Sequence, residues 1–444
     1  MPPISSTDAL TAAIRFGFAA RGGDLAAIGR DPRGWVMGQL ARPPAPLAGN
    51  LPNAATMVAA ELEMRRQKDN LEAKRSFGER VKAVYLAEID ARTKAAVASE
   101  TPLLERMTHF WSNHFTVSGL RPVVRGFSAA FEREAIRPYV LGRFSDMLVA
   151  VARHPAMLLY LDNAISIGPE STAGRLRGRG LNENLGRELL ELHTLGVDGG
   201  YTQADVEALA RILTGWSIAR LNDPQPGSFR FAPQIHEPGP KTLLGKTYLD
   251  NGYGEGQSAL LDLAHRPATA QHIARKLARH FIADNPPKDA TERIARVFLA
   301  SGGDLRQVMQ AVIKEDAAWR APFSKMRTPQ EMVIAACRVS GFTPPPEMIV
   351  NTLHQLDQQP FFAPSPQGWP DVASEWVSPE AVLRRAQWCQ AFAERMPEPP
   401  DPTEIAQAAF GEALPEETLQ AIRRAPTRRV GLALLLASPQ FQRR

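Results

Sequence analysis

The chain has 444 residues, 44% hydrophobic and 22% charged, a balance that fits a globular protein and excludes a disordered or fibrous one. Its 52 basic and 47 acidic residues leave a net charge of +5 with no basic run of five or more, so no nucleic-acid interface is indicated. Two cysteines, Cys337 and Cys389, lie in separate helical patterns and form neither a disulfide framework nor a metal-type pair.

Helical periodicity dominates, and period-2 alternation is nearly absent. Residues 7–41 read as two short helices broken at Arg21-Gly-Gly23 and Asp31-Pro-Arg-Gly34, followed by a Pro-rich loop from Arg42 to Pro52. An amphipathic stretch covers about 54–99, and a helix over 101–117 opens on Thr101-Pro102. Another is expected from Phe127 to Arg153, disturbed near Pro138. A Gly/Ser/Arg loop from Gly168 to Gly180 precedes the most polar helix of the chain, Asn182 to His193. Thr202-Gln-Ala-Asp205 is a capping-box start for a helix ending near Leu213-Thr-Gly215. The segment 222–257 is an irregular insertion rich in Pro, Gly, Asn and Asp, with room for a short hairpin; helices resume over 257–342 and again after Pro370. The expected fold is all-α, one large multi-helix unit over 1–444 with Pro/Gly-rich loops, and residues 1–52 form its N-terminal short helices and loop. No apolar run reaches the ~18 residues of a membrane span. The N-terminus lacks the basic and apolar regions of a secretory signal, so synthesis in the cytoplasm is expected.

At 100° per residue, Asn184, Glu188 and Glu191 fall within about 60° of one another and form one polar stripe. Leu181, Leu185, Leu189 and Leu192 form the adjacent apolar stripe. Carboxylates at the edge of a buried face either gain protons or are answered by cations. Such a pair acts as general acid and base, ligates a divalent metal, or is simply neutralised by arginines of a neighbouring helix. Glu183 and Arg187 lie four apart and can pair with each other, whereas His193 points nearly opposite Glu188.

A second cluster is Thr108-His-Phe-Trp-Ser-Asn-His-Phe115. His109 and His114 sit about 140° apart on the wheel, which departs from the zinc-binding His-Glu-x-x-His spacing. His114 shares a face with Leu103, Met107, Phe110 and Trp111 and reads equally as a core residue. If histidines serve the carboxylates of the 182–193 helix, this segment is their source. The candidate catalytic set is therefore Glu188, Glu191, His109, His114 and Asn184, and the candidate metal set is Glu188, Glu191, His109 and His114. His236-Glu-Pro-Gly-Pro-Lys241, Asp162-Asn163 and Gln367-Gly-Trp-Pro370 with Trp376 are weaker candidates. Nucleophile-elbow, phosphate-loop and dinucleotide signatures are all missing.

The motifs His109-Phe-Trp-Ser-Asn-His114, His154-Pro-Ala-Met157, Asn182 to Gly196, Tyr201-Thr-Gln-Ala-Asp205, Leu213-Thr-Gly-Trp216, Lys241-Thr-Leu-Leu-Gly245, Gly368-Trp-Pro370 and Ala437-Ser-Pro-Gln-Phe441 resemble a bacterial family catalogued as domain of unknown function 1800. The resemblance implies a mostly helical protein with no established activity or catalytic residues. It further implies a sulfatase-like, twin-arginine-exported protein as partner, and hence periplasmic co-export of a chain without its own signal. Two readings follow: an acid–base or metal-dependent enzyme built on the polar cluster, or a non-catalytic accessory subunit for that partner.

Overall fold

Side-chain caps and first-turn prolines set most helix starts. Asn53 and Asn70 accept from the Thr56 and Ala73 amides and open Ala54–Arg66 and Leu71–Ala98. Full capping boxes, Thr202 with Asp205 and Thr328 with Glu331, open Gln203–Ile212 and Pro329–Ser340. Prolines occupy the first turns of Pro102–His114, Pro267–Phe281 and Pro379–Arg395. The computed structural model describes residues 6–67, 69–177 and 180–444; among these described residues the structure is 62% helical, with 23 α-helical segments beside two two-stranded sheets. Among the described residues no helix is long and apolar enough to cross a membrane.

The expected helix from Phe127 to Arg153 is in fact broken. Ser128–Phe131 widens into a π turn, Glu132–Ile136, tightens to a 3₁₀ turn at Arg137–Tyr139, and restarts as Phe144–Arg153. Pro138 lacks the amide a continuing helix needs, and the buried Arg137–Glu105 pair holds the break in place. Asp31-Pro32, read from sequence as an interruption, instead starts the helix Pro32–Gln39.

The irregular 222–257 region holds a hairpin, Lys241–Leu243 with Lys246–Tyr248, joined by Leu244 (φ 50°) and Gly245 (φ 77°) as a two-residue primed turn. A second ladder pairs Trp216–Ile218 with Phe229–Phe231. Both sheets lie against helices that carry the fold.

Buried apolar residues form two large clusters. One gathers Phe16, Met107, Trp111, Phe144, Leu189, Phe281 and Trp319; the other gathers Met332, Trp388, Phe392, Leu435 and Phe441. The N-terminal segment belongs to both, with Phe16 in the first and Leu10 and Ile14 in the second. Helices Pro102–His114 and Pro267–Phe281 come from the first side, and Pro329–Ser340 from the second. Their facing ends line a cavity.

Candidate functional site

Asn184–Glu188 is a regular α-helix, but Leu189–Thr194 is a π turn, closed by Leu195 N–H to Leu190 O at 3.0 Å. The extra residue per turn swings the buried face. Leu190, His193 and Thr194 go inside, while Leu192, expected in the apolar stripe, is only half-buried. Gly186 lets this helix press onto Gln203–Ile212: a Cβ there would stand 3.0 Å from Ala210 N and 3.1 Å from Val206 O.

Asn184 is exposed, and Glu188 and Glu191 are half-buried on the outer side. Burial and the neighbouring Glu191 raise the Glu188 carboxyl above its usual range. Tyr201 donates to Glu191 at 3.3 Å, and Glu183 pairs with Arg187 at 3.0 Å as its spacing required. His109 and His114 lie elsewhere. His114 packs inward on His193, with ring centroids 6.0 Å apart and its Nε2–H donated to His193 O at 3.2 Å. The carboxylate stripe and the histidine helix thus occupy opposite sides of the π turn, and the four residues do not converge on a donor set. The described residues offer one group of at least three metal-type ligands, His236, Asp250 and Glu255, whose donor atoms lie within 4.8 Å of one another. The Lys241 ammonium already answers that group, 2.8 Å from Glu255 Oε2 and 2.5 Å from Glu237 O. It ties the hairpin to the helix Tyr253–Ala264.

The histidines of the 102–114 helix instead line a cavity of about 540 Å³, whose opposite wall is the 358–375 segment. Two reciprocal bonds join these walls: Asn113 Nδ2–H donates to Trp369 O at 2.9 Å, and Trp369 N–H donates to Asn113 Oδ1 at 2.7 Å. Gly368 makes the approach feasible. Its φ is +84°, and a Cβ would stand 2.4 Å from Asn113 O and 2.8 Å from Thr116 Oγ1. Ser118 Oγ–H to Ala363 O at 2.6 Å and Gly119 N–H to Phe361 O at 2.7 Å continue the seam. The paired motifs of the 109–114 and 368–370 stretches are thus two walls of one pocket.

Helix Pro267–Phe281 brings three titratable groups to the cavity. Lys276, Arg279 and His280 stand at i, i+3 and i+4 and all line the cavity. His280 Nδ1 lies 2.7 Å from Asp371 Oδ2. Although burial opposes its ionisation, Asp371 is held well below the usual carboxylate range by His280, Lys325 and Arg444. A carboxylate can only accept, so Nδ1 carries the proton and the neutral ring presents a bare Nε2. That Nε2 has no hydrogen-bond partner among the described residues. Burial holds the His280 pKa down even against Asp371, so the ring is neutral at pH 7. His109 and His114 are likewise driven neutral, each mainly by burial.

Charges lining the cavity are unevenly matched. Arg92 pairs with Glu132 at 2.8 Å, and Glu331 bridges Arg106 and Arg444. Burial works against Glu331 ionising, yet Arg444 and Arg106 hold its carboxyl far below the usual range. Arg279 bonds only the Asp284 carbonyl, at 3.3 Å, and Lys276 bonds nothing among the described residues. Glu375 lies exposed at the rim. The interior therefore holds two cations without carboxylate partners.

The family model described as "Protein of unknown function (DUF1800)" matches residues 11–443. The chain belongs to that family. No curated protein and no solved structure is detectably similar to it.

Sequence reasoning placed His109, His114 and the Gly368-Trp-Pro loop but missed Lys276, His280, Glu331 and Asp371. Two signals were available. Thr328-Pro-Gln-Glu331 is a legible capping box, and Lys276-Leu-Ala-Arg279-His280 sets three polar groups on one helix face. On a wheel alone, that second pattern is indistinguishable from a solvated face.

Proposed function

We propose that the chain binds a small anionic molecule in the cavity between the 102–114 helix and the Gly368-Trp-Pro loop, and performs acid–base chemistry on it. The observation that carries this reading is the His280–Asp371 pair. An imidazole oriented through Nδ1 by a carboxylate, on a residue that lines the cavity and with a buried Nε2 that has no partner among the described residues, is the arrangement a general base requires. Arg279 supports the anionic preference, because a half-buried guanidinium lining a cavity without a carboxylate partner is most stable when a ligand provides one. His109 and His114 contribute further neutral imidazoles to the same walls. In this reading the Glu188–Glu191 stripe with Asn184 lies outside the chemistry, and no divalent metal is needed for proton transfer.

Thermal shift against a panel of acetate, pyruvate, oxalate, citrate and inorganic phosphate tests the reading. At least one anion should stabilise the wild type and the surface variant Lys288→Gln equally, and stabilise Arg279→Gln and Lys276→Gln much less. Stabilisation that is equal in all four proteins would remove the cavity as the binding site.

A further inference from the structure

Lys276 is left over once acid–base work is assigned to His280 and anion binding to Arg279. We infer that Lys276 is a nucleophile that forms an imine with the carbonyl carbon of a small 2-oxo acid held in the cavity; this rests on the cavity being the ligand site. Four features of the wall converge on it. Lys276 lines the cavity and makes no ion pair or hydrogen bond among the described residues, so its amine is not committed to structure. Its surroundings oppose a permanent charge: burial, offset in part by Asp371 and reinforced by Arg279, pushes the ammonium down to about 8. That leaves a useful fraction of free amine near neutral pH, the condition for a nucleophilic lysine. The other titratable groups around it, His114, His193 and His272, are themselves held neutral. Finally, a base and a guanidinium follow on the same helix face, at His280 and Arg279.

The chemistry balances with these groups alone. The Nζ lone pair adds to the carbonyl carbon, and the C=O π pair moves to oxygen. Nitrogen gives one proton to His280 Nε2, and the oxygen takes one from the resulting imidazolium, yielding a carbinolamine. In a second transfer by the same route the remaining N–H proton passes through His280 Nε2 to the hydroxyl, which leaves as water while the nitrogen lone pair closes C=N. One amine and one carbonyl become one imine and one water. Arg279 holds the ligand carboxylate and so favours an oxo acid over a plain aldehyde.

Reductive trapping reads this directly. Full-length protein is incubated with pyruvate and cyanoborohydride, and the adduct is located by intact mass and peptide mapping; acetaldehyde at equal concentration serves as the carbonyl without a carboxylate. The expected result is one adduct on Lys276, formed faster with pyruvate and rising with pH through about 8. Lys276→Arg and Lys276→Met should label at least roughly tenfold less. Mapping in the wild type decides the matter even if both variants fold poorly. Adducts scattered over exposed lysines such as Lys288, or no adduct at all, overturn the inference. If pyruvate still raises the melting temperature in that case, the imine falls while the anion site stands; if it does not, both fall.

Discussion

His193 gives the most quantitative handle on the architecture behind the cavity. The π turn places its ring at 0% exposure against His114 and Phe115, and neither ring nitrogen has a partner among the described residues. Burial, with the charge of Lys276 nearby, pushes its pKa from 6.5 down to about 3. Between those values the unfolded chain binds a proton that the folded chain refuses. Stability therefore rises with pH across that window and is lost as the solution is acidified. One proton costs about 1.4 kcal/mol per pH unit, so the full window is worth on the order of 5 kcal/mol at most. His193→Phe keeps an aromatic ring and removes the proton site. Any packing change shifts its whole stability curve without altering the slope. Urea unfolding by circular dichroism at fixed salt from pH 6 to 4 should give a variant slope shallower by about 1.4 kcal/mol per pH unit. Equal slopes would mean that His193 is solvated or partnered in solution and that the π turn does not bury it.

Other consequences follow from the walls of the pocket. Asn113→Ala strands the Trp369 amide and carbonyl and should cost about 2–4 kcal/mol, with new protease cuts confined to the 361–376 segment on a time course. Gly368→Ala imposes a left-handed alanine worth about 1–2 kcal/mol before the clash with Asn113 O is counted. Combined with Asn113→Ala it should be less than additive, because both open the same seam. Cys337 and Cys389 are buried, and burial pushes both thiols up to about 12. Iodoacetamide should leave both unmodified in native protein and label both in urea, as read by intact mass.

The sequence carried the helical class through periodicity and carried helix starts through caps, as at Thr202 and Thr328. It did not carry the places where backbone hydrogen bonding changes register, among them the π turns at Ala12–Phe16, Glu132–Ile136 and Leu189–Thr194. Neither the π turn after Glu188 nor the π and 3₁₀ turns before Val140 has a one-residue signature, and each is stabilised by contacts distant in the chain, such as Arg137 on Glu105. For the site, the wheel set His193 away from Glu188 and offered Glu188 and Glu191 as partners for His109 and His114, whereas His114 meets His193 of that helix and His109 packs on Phe18. The groups that line the cavity with them, Lys276, His280 and Asp371, arrive from segments some 160 to 260 positions onward. Nothing local links those segments. The Gly368-Trp-Pro loop was visible as rigid and aromatic, yet its role as a wall depends on a pair of hydrogen bonds to Asn113 that only the fold creates.

The central claim is that small anions enter the cavity beside Trp369. Of the seven tryptophans, Trp369 is the one that lines that volume. Titrating pyruvate into the wild type should give a saturable change in tryptophan fluorescence, abolished in Trp369→Phe and moved to higher concentration in Arg279→Gln. A saturable change that survives intact in Trp369→Phe, or no saturable change in the wild type, would contradict the account.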